Sequence, residues 1–199
     1  MVAVGEWATL ILEGNQRNDN MKHRFTGKSP RAPSKGAEGV LGKAEIKDFL
    51  TIRIAGNEQL PLDFNSDYVK SGRGPIKTFD YCLEGDQDRY AIERKSVSDY
   101  IGSLVLSKNW AHELAKIERA REWLLPTIYV VEGNFDDIRT YDYTIFPSGR
   151  VTSQMVYKKW AQMVFELSVH VIFTGSREAA AYAVALILKR RHEALRTDK

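Results

Sequence analysis

The segment TFDYCLEGDQDRYAIERKSVSD, residues 78–99, decides the fold of this 199-residue chain. Its first part, residues 78–83, alternates large apolar and polar side chains, which predicts a β-strand. A polar segment that contains a glycine follows at residues 84–89. Residues 90–95 then predict a second strand, so the two strands could pair as a hairpin.

Three charged side chains converge on this predicted hairpin. Residues i and i+2 of a strand share a face, so Glu93 and Lys95 project together, whereas Arg94 points to the opposite face. Asp80 would lie across the sheet from Glu93. Carboxylates are the hard oxygen ligands that Mg²⁺ prefers, and an ammonium group beside them can act on a water or a phosphate. These residues alone leave two interpretations open: a metal site, or an exposed hairpin with solvated charges.

Composition narrows the class of protein. The length suits one well-cored domain with an appendage. The single cysteine, Cys82, excludes an intramolecular disulfide and indicates a reducing compartment. A net charge of +3 says little about nucleic acid, because the distribution of charge matters more than its sum. The apolar run at residues 179–188 is too short to span a bilayer, and the N-terminus makes a poor signal peptide, so we expect no membrane contact.

A basic segment precedes the predicted core. Residues 15–42 are rich in Pro, Gly and Ser and poor in large apolar side chains, which predicts a flexible segment. Two hypotheses remain open for it: a solvated linker, or an arm that contacts DNA phosphates. The candidate DNA contacts in this segment are Lys22, Arg24, Lys28 and Arg31.

The rest of the chain alternates strands with helices. Strands are predicted at residues 49–54, 127–131 and 169–174, helices at 96–105, 109–123, 151–167 and 176–188, and loops at 60–74 and 136–150. The run TIYVV is typical of a strand covered on both faces, so we expect the two apolar strands to be central and parallel. This order predicts an α/β fold with a mixed central sheet flanked by helices.

Two of these helices carry candidate functional residues. Ser96 or Ser98 can cap the first helix, and Asp99 lies in its first turn, where a carboxylate is favoured. The helix at residues 109–123 has a charged face with Lys116 and Arg119. That face either contacts DNA or is simply solvated.

The spacing of these residues resembles a known nuclease pattern. Asp80, followed after about a dozen residues by Glu-x-Lys, resembles the PD-(D/E)xK motif. Residues 93–104, ERKSVSDYIGSL, closely resemble the motif of the XPF family of structure-specific endonucleases, in which Gly-Asp precedes Glu-Arg-Lys, three residues and Asp. Asp80-Tyr81 is similar to that family's Gly-Asp-Tyr, with Phe79 in place of the glycine.

The first acidic motif of that family is altered in this chain. The family ends a strand with Asp-x-Arg-Glu, which residues 54–64, IAGNEQLPLDF, resemble. Ala55 stands at the Asp position and Asn57 at the Arg position, and Glu58 is retained. The altered motif puts the number of metals in doubt.

The resemblance implies a restriction-endonuclease-like fold over residues 49–188 and a metal-dependent DNA endonuclease, selective for branched or flap DNA and acting in DNA repair or recombination. It implies that Asp80 and Glu93 ligate Mg²⁺ or Mn²⁺, with the main-chain carbonyl of Arg94 as a third ligand and Glu58 joining through water or a second metal. Lys95 would orient or deprotonate the attacking water, or stabilise the phosphate.

The resemblance also implies supporting roles. The Arg94 side chain would brace the site through Asp99 or a neighbouring acid, and Ser98 and Asp99 would cap the helix and hold the motif rigid. An alternative hypothesis is a catalytically weak or inactive DNA-binding or dimer-partner module with the same fold. The altered first motif favours this alternative, and the intact Glu-Arg-Lys opposes it.

Three parts are expected along the chain: an N-terminal segment with a basic arm at 1–42, a nuclease domain at 43–192 and a basic tail at 193–199. DNA is the expected partner, and a homodimer or heterodimer could form through the nuclease domain, with Trp160 and Tyr182 available for core or interface. We expect a cytoplasmic protein in a bacterial, phage or archaeal setting, or a nuclear one in a eukaryote.

Overall fold

The computed structural model describes residues 49–123, 125–146 and 149–197. The chain divides into two units, Met1–Ala37 and Glu38–Lys199, and every described residue belongs to the second. The predicted arm, with Lys22, Arg24, Lys28 and Arg31, and the predicted boundary at residue 42 therefore lie outside the described residues.

Strands and helices alternate through most of this unit. The strands are β1 (Leu50–Ala55), β2 (Val69–Gly74), β3 (Tyr81–Leu83), β4 (Glu93–Ser96), β5 (Thr127–Glu132) and β6 (Val169–Phe173). The helices are α1 (Val97–Val105), α2 (Ser107–Arg121), α3 (Asp137–Thr140), α4 (Ser153–Phe165) and α5 (Arg177–Thr197), with a 3₁₀ turn at Tyr143–Ile145. No helix within the described ranges is long and apolar enough to cross a membrane.

The strands form two three-stranded sheets. In the first, ordered β2-β1-β3, β2 runs parallel and β3 antiparallel to β1. In the second, ordered β4-β5-β6, all strands are parallel. An antiparallel bridge between Tyr81 and Ile92 joins the two sheets. The predicted mixed arrangement of parallel and antiparallel strands is therefore present.

The predicted hairpin is wrong in extent, because it is reduced to that one bridge. Tyr81 N donates to Ile92 O at 3.1 Å, and Ile92 N donates to Tyr81 O at 2.8 Å. Beyond the bridge, β3 pairs with β1, and β4 pairs with the apolar strand β5. These pairings offer longer ladders than the two short strands could make with each other, so the strands diverge.

β5 is the central strand of its sheet, as its apolar sequence predicts. Glu93 lies in register with Tyr129, and Val131 lies in register with Phe173. β6 is parallel to β5 as predicted, but it forms an edge of the sheet, where His170 and Ile172 are exposed. The prediction that both apolar strands are central was therefore half wrong.

Sequence patterns missed three further elements. β2 lies inside a predicted loop, since VKSGRG has no apolar alternation, and it forms by pairing along all of β1. The loop predicted at residues 136–150, a Tyr-rich segment, contains α3 and the 3₁₀ turn. The last helix also continues to Thr197, so residues 193–197 of the predicted tail belong to it.

The helices hold the charged residues of β4 on a rigid frame. Ser96 caps α1, because its Oγ accepts a hydrogen bond from Asp99 N at 3.1 Å. The apolar spacing of Tyr100, Ile101 and Leu104 predicts the inner face of that helix, and all three side chains are buried. α1 packs on α2 and on α4, so the chain that leaves β4 is fixed immediately after Lys95.

Candidate active site

A polar cleft of about 340 Å³ lies where β1, β3 and β4 approach one another. It brings together the predicted residues Glu58, Asp80, Glu93 and Lys95. The residues that line it are Asn57, Glu58, Gln59, Leu60, Asp80, Glu93, Arg94, Lys95 and Asp99.

Backbone hydrogen bonds to two neighbouring segments fix the position of Asp80. Its carbonyl accepts from Ala55 N at 2.8 Å, and its own N–H donates to Ile92 O at 3.0 Å. The side-chain Oδ2 accepts from Arg94 N at 2.9 Å. Burial, and next the neighbouring Glu93 carboxylate, raise the pKa of Asp80 to about 8. Two acids this close favour a cation between them.

Phe79 occupies the position where the resemblance predicts glycine, and its backbone shows why glycine suits that position. Its φ is 70°, in the left-handed region that costs an ordinary residue about 1–2 kcal/mol. The ring is buried and packs edge-on against Trp123 and Tyr129, with centroid distances of 5.8 and 5.6 Å. Aromatic packing therefore offsets the backbone cost, and the turn before Asp80 is retained.

Glu93 is almost fully buried, with 2% of its surface exposed. Its Oε1 accepts from two ammonium groups, Lys95 Nζ at 2.9 Å and Lys116 Nζ at 2.7 Å. Its Oε2 is buried and has no hydrogen-bond partner among the described residues. An unpaired buried carboxylate oxygen is costly, so it marks a position where a ligand would be stabilised.

Lys95 has a second acidic partner that the sequence did not indicate. Its Nζ lies 3.1 Å from Oε1 of the buried Glu113, whose Oε2 accepts from Tyr129 OH at 2.8 Å. Burial alone would lower the pKa of Lys95, but Glu93 and then Glu113 raise it above its ordinary value. Lys95 therefore carries a proton at neutral pH.

The side chain of Arg94 is braced by two acids, Glu132 and Glu58. Two hydrogen bonds of 2.8 and 2.5 Å join it to Glu132, and Glu58 lies 3.7 Å away. Asp99 and a neighbouring acid were the two predicted partners of Arg94. Neighbouring acids hold it, whereas Asp99 accepts a hydrogen bond from Ser96 Oγ. This pairing locks the strand that carries Glu93 and Lys95.

Arg177, at the start of α5, fixes the loop that carries Glu58. It donates to Glu132 at 2.8 Å and to the carbonyls of Leu60 and Pro61 at 2.6 and 2.7 Å. Glu58 Oε1 accepts from Leu60 N at 2.8 Å. The Glu58 carboxylate is thus held at the cleft wall by its own loop.

Ser98 does not form the predicted helix cap, and the DNA contact predicted for the half-buried Arg119 stays a prediction. Ser98 Oγ lies 2.8 Å from Tyr141 OH, so Ser98 ties α1 to the Tyr-rich segment while Ser96 forms the cap. Arg119 donates to Thr78 Oγ1 at 3.4 Å.

Lys116 and Glu113 lie deeper than the sequence pattern of α2 predicts. Lys116 is predicted on a face that is solvated or contacts DNA, yet its ammonium group lies on Glu93 and 18% of its side chain is exposed. Its contact with DNA stays a prediction. Glu113 lies on the buried stripe with Ile117 and Ala120. The apolar spacing of Trp110, Leu114 and Ile117 predicts a stripe through Leu114, which is only half-buried. A carboxylate four residues before Ile117 was the available signal for Glu113.

The donor set fits a divalent cation only in part. Across the described ranges, no group of three His, Cys, Asp or Glu side chains is arranged to hold a metal ion. The carboxylates of Asp80 and Glu93 face the same cleft, one buried oxygen of Glu93 lacks a partner, and both groups are hard oxygen donors. The side chains of Asp80 and Glu93 therefore suit a metal, whereas the Glu58 carboxylate already accepts a hydrogen bond from its own loop.

A family model of the ERCC4 domain matches residues 15–187. The chain belongs to the ERCC4 domain family. This is a family of structure-specific DNA nucleases with an XPF-type nuclease domain. The match begins at residue 15, so it takes in the basic segment as well as the predicted range.

Solved structures agree on the fold. XPF from Aeropyrum pernix is 17% identical with a TM-score of 0.52, and the match covers 69% of this chain and 64% of that chain. XPF from Aeropyrum pernix in complex with DNA is 16% identical with a TM-score of 0.53, covering 73% and 66%. The chain thus spans slightly less than two thirds of each structure. No curated protein matches the sequence significantly. The predicted restriction-endonuclease-like α/β fold is confirmed.

Proposed function

We propose that this domain is a metal-dependent endonuclease that binds DNA and hydrolyses phosphodiester bonds in branched or flap structures. The observation that carries the proposal is the meeting of two carboxylates and a protonated lysine in one cleft, on the motif of a nuclease family. Phosphodiester hydrolysis needs an activated water and a positive environment for the developing charge, and this group of residues can serve both needs.

Asp80 and Glu93 would hold Mg²⁺ or Mn²⁺. The unpaired Oε2 of Glu93 supports this assignment, as does the raised pKa of Asp80. The N–H and carbonyl of one strand residue point to the same side, so the bond from Arg94 N to Asp80 supports the Arg94 carbonyl as a third ligand. The bound metal would lower the pKa of a water and neutralise phosphate charge. That Glu58 joins the site through a water or a second metal stays a prediction.

Lys95 would act as a cation and not as a base. Glu93 and Glu113 hold its proton, so its ammonium group stabilises negative charge on the phosphate as the transition state forms. Arg94, Ser98 and Asp99 would position the strand and the helix that follows it.

A second candidate is a non-catalytic DNA-binding or dimer-partner module. The lack of a third acidic ligand among the described residues favours it. Exposed apolar side chains on α4 and α5, Phe165 and Tyr182, suit a homodimer or heterodimer interface, whereas Trp160 packs against Phe135. Dimer formation stays a prediction.

The test that separates the two candidates is a panel of single-stranded, duplex, flap and four-way DNAs, incubated with Mg²⁺ and with chelator. We expect cleavage of the branched substrates that requires Mg²⁺. Binding of the same DNAs without cleavage in either Mg²⁺ or Mn²⁺ would support the second candidate.

A further inference from the structure

Lys116 contacts two acidic side chains, Glu93 of the cleft and the buried Glu113 behind it. Its Nζ lies 2.7 Å from Glu93 Oε1 and 3.6 Å from Glu113 Oε1. Lys95 reaches the same two oxygens, at 2.9 and 3.1 Å. The four side chains form a closed ring of alternating charge in which one oxygen of Glu93 accepts from both ammonium groups.

The two lysines differ in how firmly they are held. Lys95 extends from a β-strand, and 10% of its side chain is exposed. Lys116 extends from α2 at the mouth of the ring, with 18% of its side chain exposed. Tyr129 fixes Glu113 through the other carboxylate oxygen. Lys116 is therefore the member whose flexible stem can turn towards solvent without breaking the rest of the ring.

The charges of the cluster indicate why one lysine has to move. In the form that would ligate a cation, the three carboxylates of Asp80, Glu93 and Glu113 and the two ammonium groups are all ionised and carry a net charge of −1. A divalent cation turns this into +1, which one phosphodiester neutralises. The unpaired Oε2 of Glu93 is open to a cation, but a cation there would add positive charge beside the two ammonium groups on Oε1, and this repulsion disfavours keeping both of them.

We propose, on the basis of the endonuclease function above, that Lys116 binds Glu93 while the metal is absent and binds a DNA phosphate when a metal takes that carboxylate. Lys116 then opposes metal binding in the free protein and favours DNA binding in the metal-bound one. Metal and DNA therefore bind cooperatively, and each raises the affinity for the other by the same factor.

Calorimetric titration with Mn²⁺ tests the first half of the proposal. Removal of the competing ammonium in Lys116→Met should tighten Mn²⁺ binding by about tenfold or more. Lys108→Met is the matched control, because Lys108 is an exposed lysine in the first turn of the same helix and should leave the affinity unchanged. Lys116→Gln and thermal unfolding monitored by circular dichroism show whether any change comes from misfolding.

The outcomes separate this inference from the proposed function. If the wild type binds Mn²⁺ and Lys116→Met binds it equally or more weakly, the role of Lys116 is overturned and the nuclease assignment stands. If the wild type binds no Mn²⁺, the metal site itself is overturned and this inference fails with it.

DNA binding tests the second half, in a Lys95→Met background that blocks hydrolysis. Adding Lys116→Met should weaken binding of a flap DNA with Mn²⁺ present, and lower the slope of log K against log salt by about 0.9. The loss should be much smaller without Mn²⁺, since Lys116 is then engaged by Glu93. An equal loss with and without Mn²⁺ would overturn the proposal.

Discussion

Replacing Glu113 with Gln should destabilise the domain strongly, although the two side chains have nearly the same shape. Glu113 is 4% exposed, and its carboxylate accepts from Lys95 at 3.1 Å and from Tyr129 at 2.8 Å. Gln keeps one acceptor oxygen but removes the charge that balances a buried ammonium group. Burial alone would raise the pKa of Glu113, but Lys95 and then Lys116 lower it below its ordinary value, so the carboxylate is ionised and its loss matters at neutral pH.

The magnitude follows from the environment of the pair. Breaking a buried ion pair by removing one partner costs about 3–5 kcal/mol, and a hydrogen bond to a charged group contributes about 1.5–3 kcal/mol. Glu93 still pairs with Lys95 in the variant, so part of the charge remains compensated. We expect Glu113→Gln to lower the free energy of unfolding by about 2–3 kcal/mol.

Urea denaturation followed by tryptophan fluorescence and circular dichroism measures this loss. Glu118→Gln is the control, because Glu118 lies on the same helix with 70% of its side chain exposed and pairs with Arg121 at 2.8 Å. An exposed pair of this kind contributes about 0.2–1 kcal/mol. Equal stabilities for the two variants would refute the claim that Glu113 balances a buried charge.

Two further predictions concern the frame of the site. Phe79→Gly should be more stable than Phe79→Ala by about 1–2 kcal/mol in the same denaturation assay, because Gly accepts the positive φ that strains Ala. The reverse order of stability would contradict a left-handed backbone at residue 79. Arg177→Met should speed amide hydrogen exchange in the loop at residues 58–62, whereas the exposed Arg190→Met should not, since Arg177 holds two carbonyls of that loop. Unchanged exchange in Arg177→Met would contradict this brace.

Local chemistry explains how much of the site could be predicted. The strand period places Glu93 and Lys95 together, and the Ser96 cap ends the strand directly after them. Both features therefore depend only on residues that are close together in the sequence. The apolar run of β5 is likewise a local signal, and it predicts a strand covered on both faces at the centre of a sheet. These parts of the fold needed no knowledge of distant partners.

The remaining parts depend on partners that lie far away in the sequence. β2 carries no apolar pattern, and only its pairing with β1 makes it a strand. Glu132 meets Arg94 from 38 residues away and Arg177 meets Glu132 from 45 residues away, which no local pattern specifies. Glu113 was missed because a rotation of one residue along α2 decides whether Glu113 or Leu114 faces the core.

The central claim is that the carboxylates of Asp80 and Glu93 hold the divalent cation that DNA cleavage requires. The most direct test is the rate of Mg²⁺-dependent cleavage of a flap DNA by Asp80→Asn, beside the wild type and Asp88→Asn, which changes an exposed carboxylate in the neighbouring turn. We expect Asp80→Asn to lose at least about a thousandfold in rate while it still binds the DNA, and Asp88→Asn to match the wild type. Cleavage by Asp80→Asn at close to the wild-type rate would contradict the account.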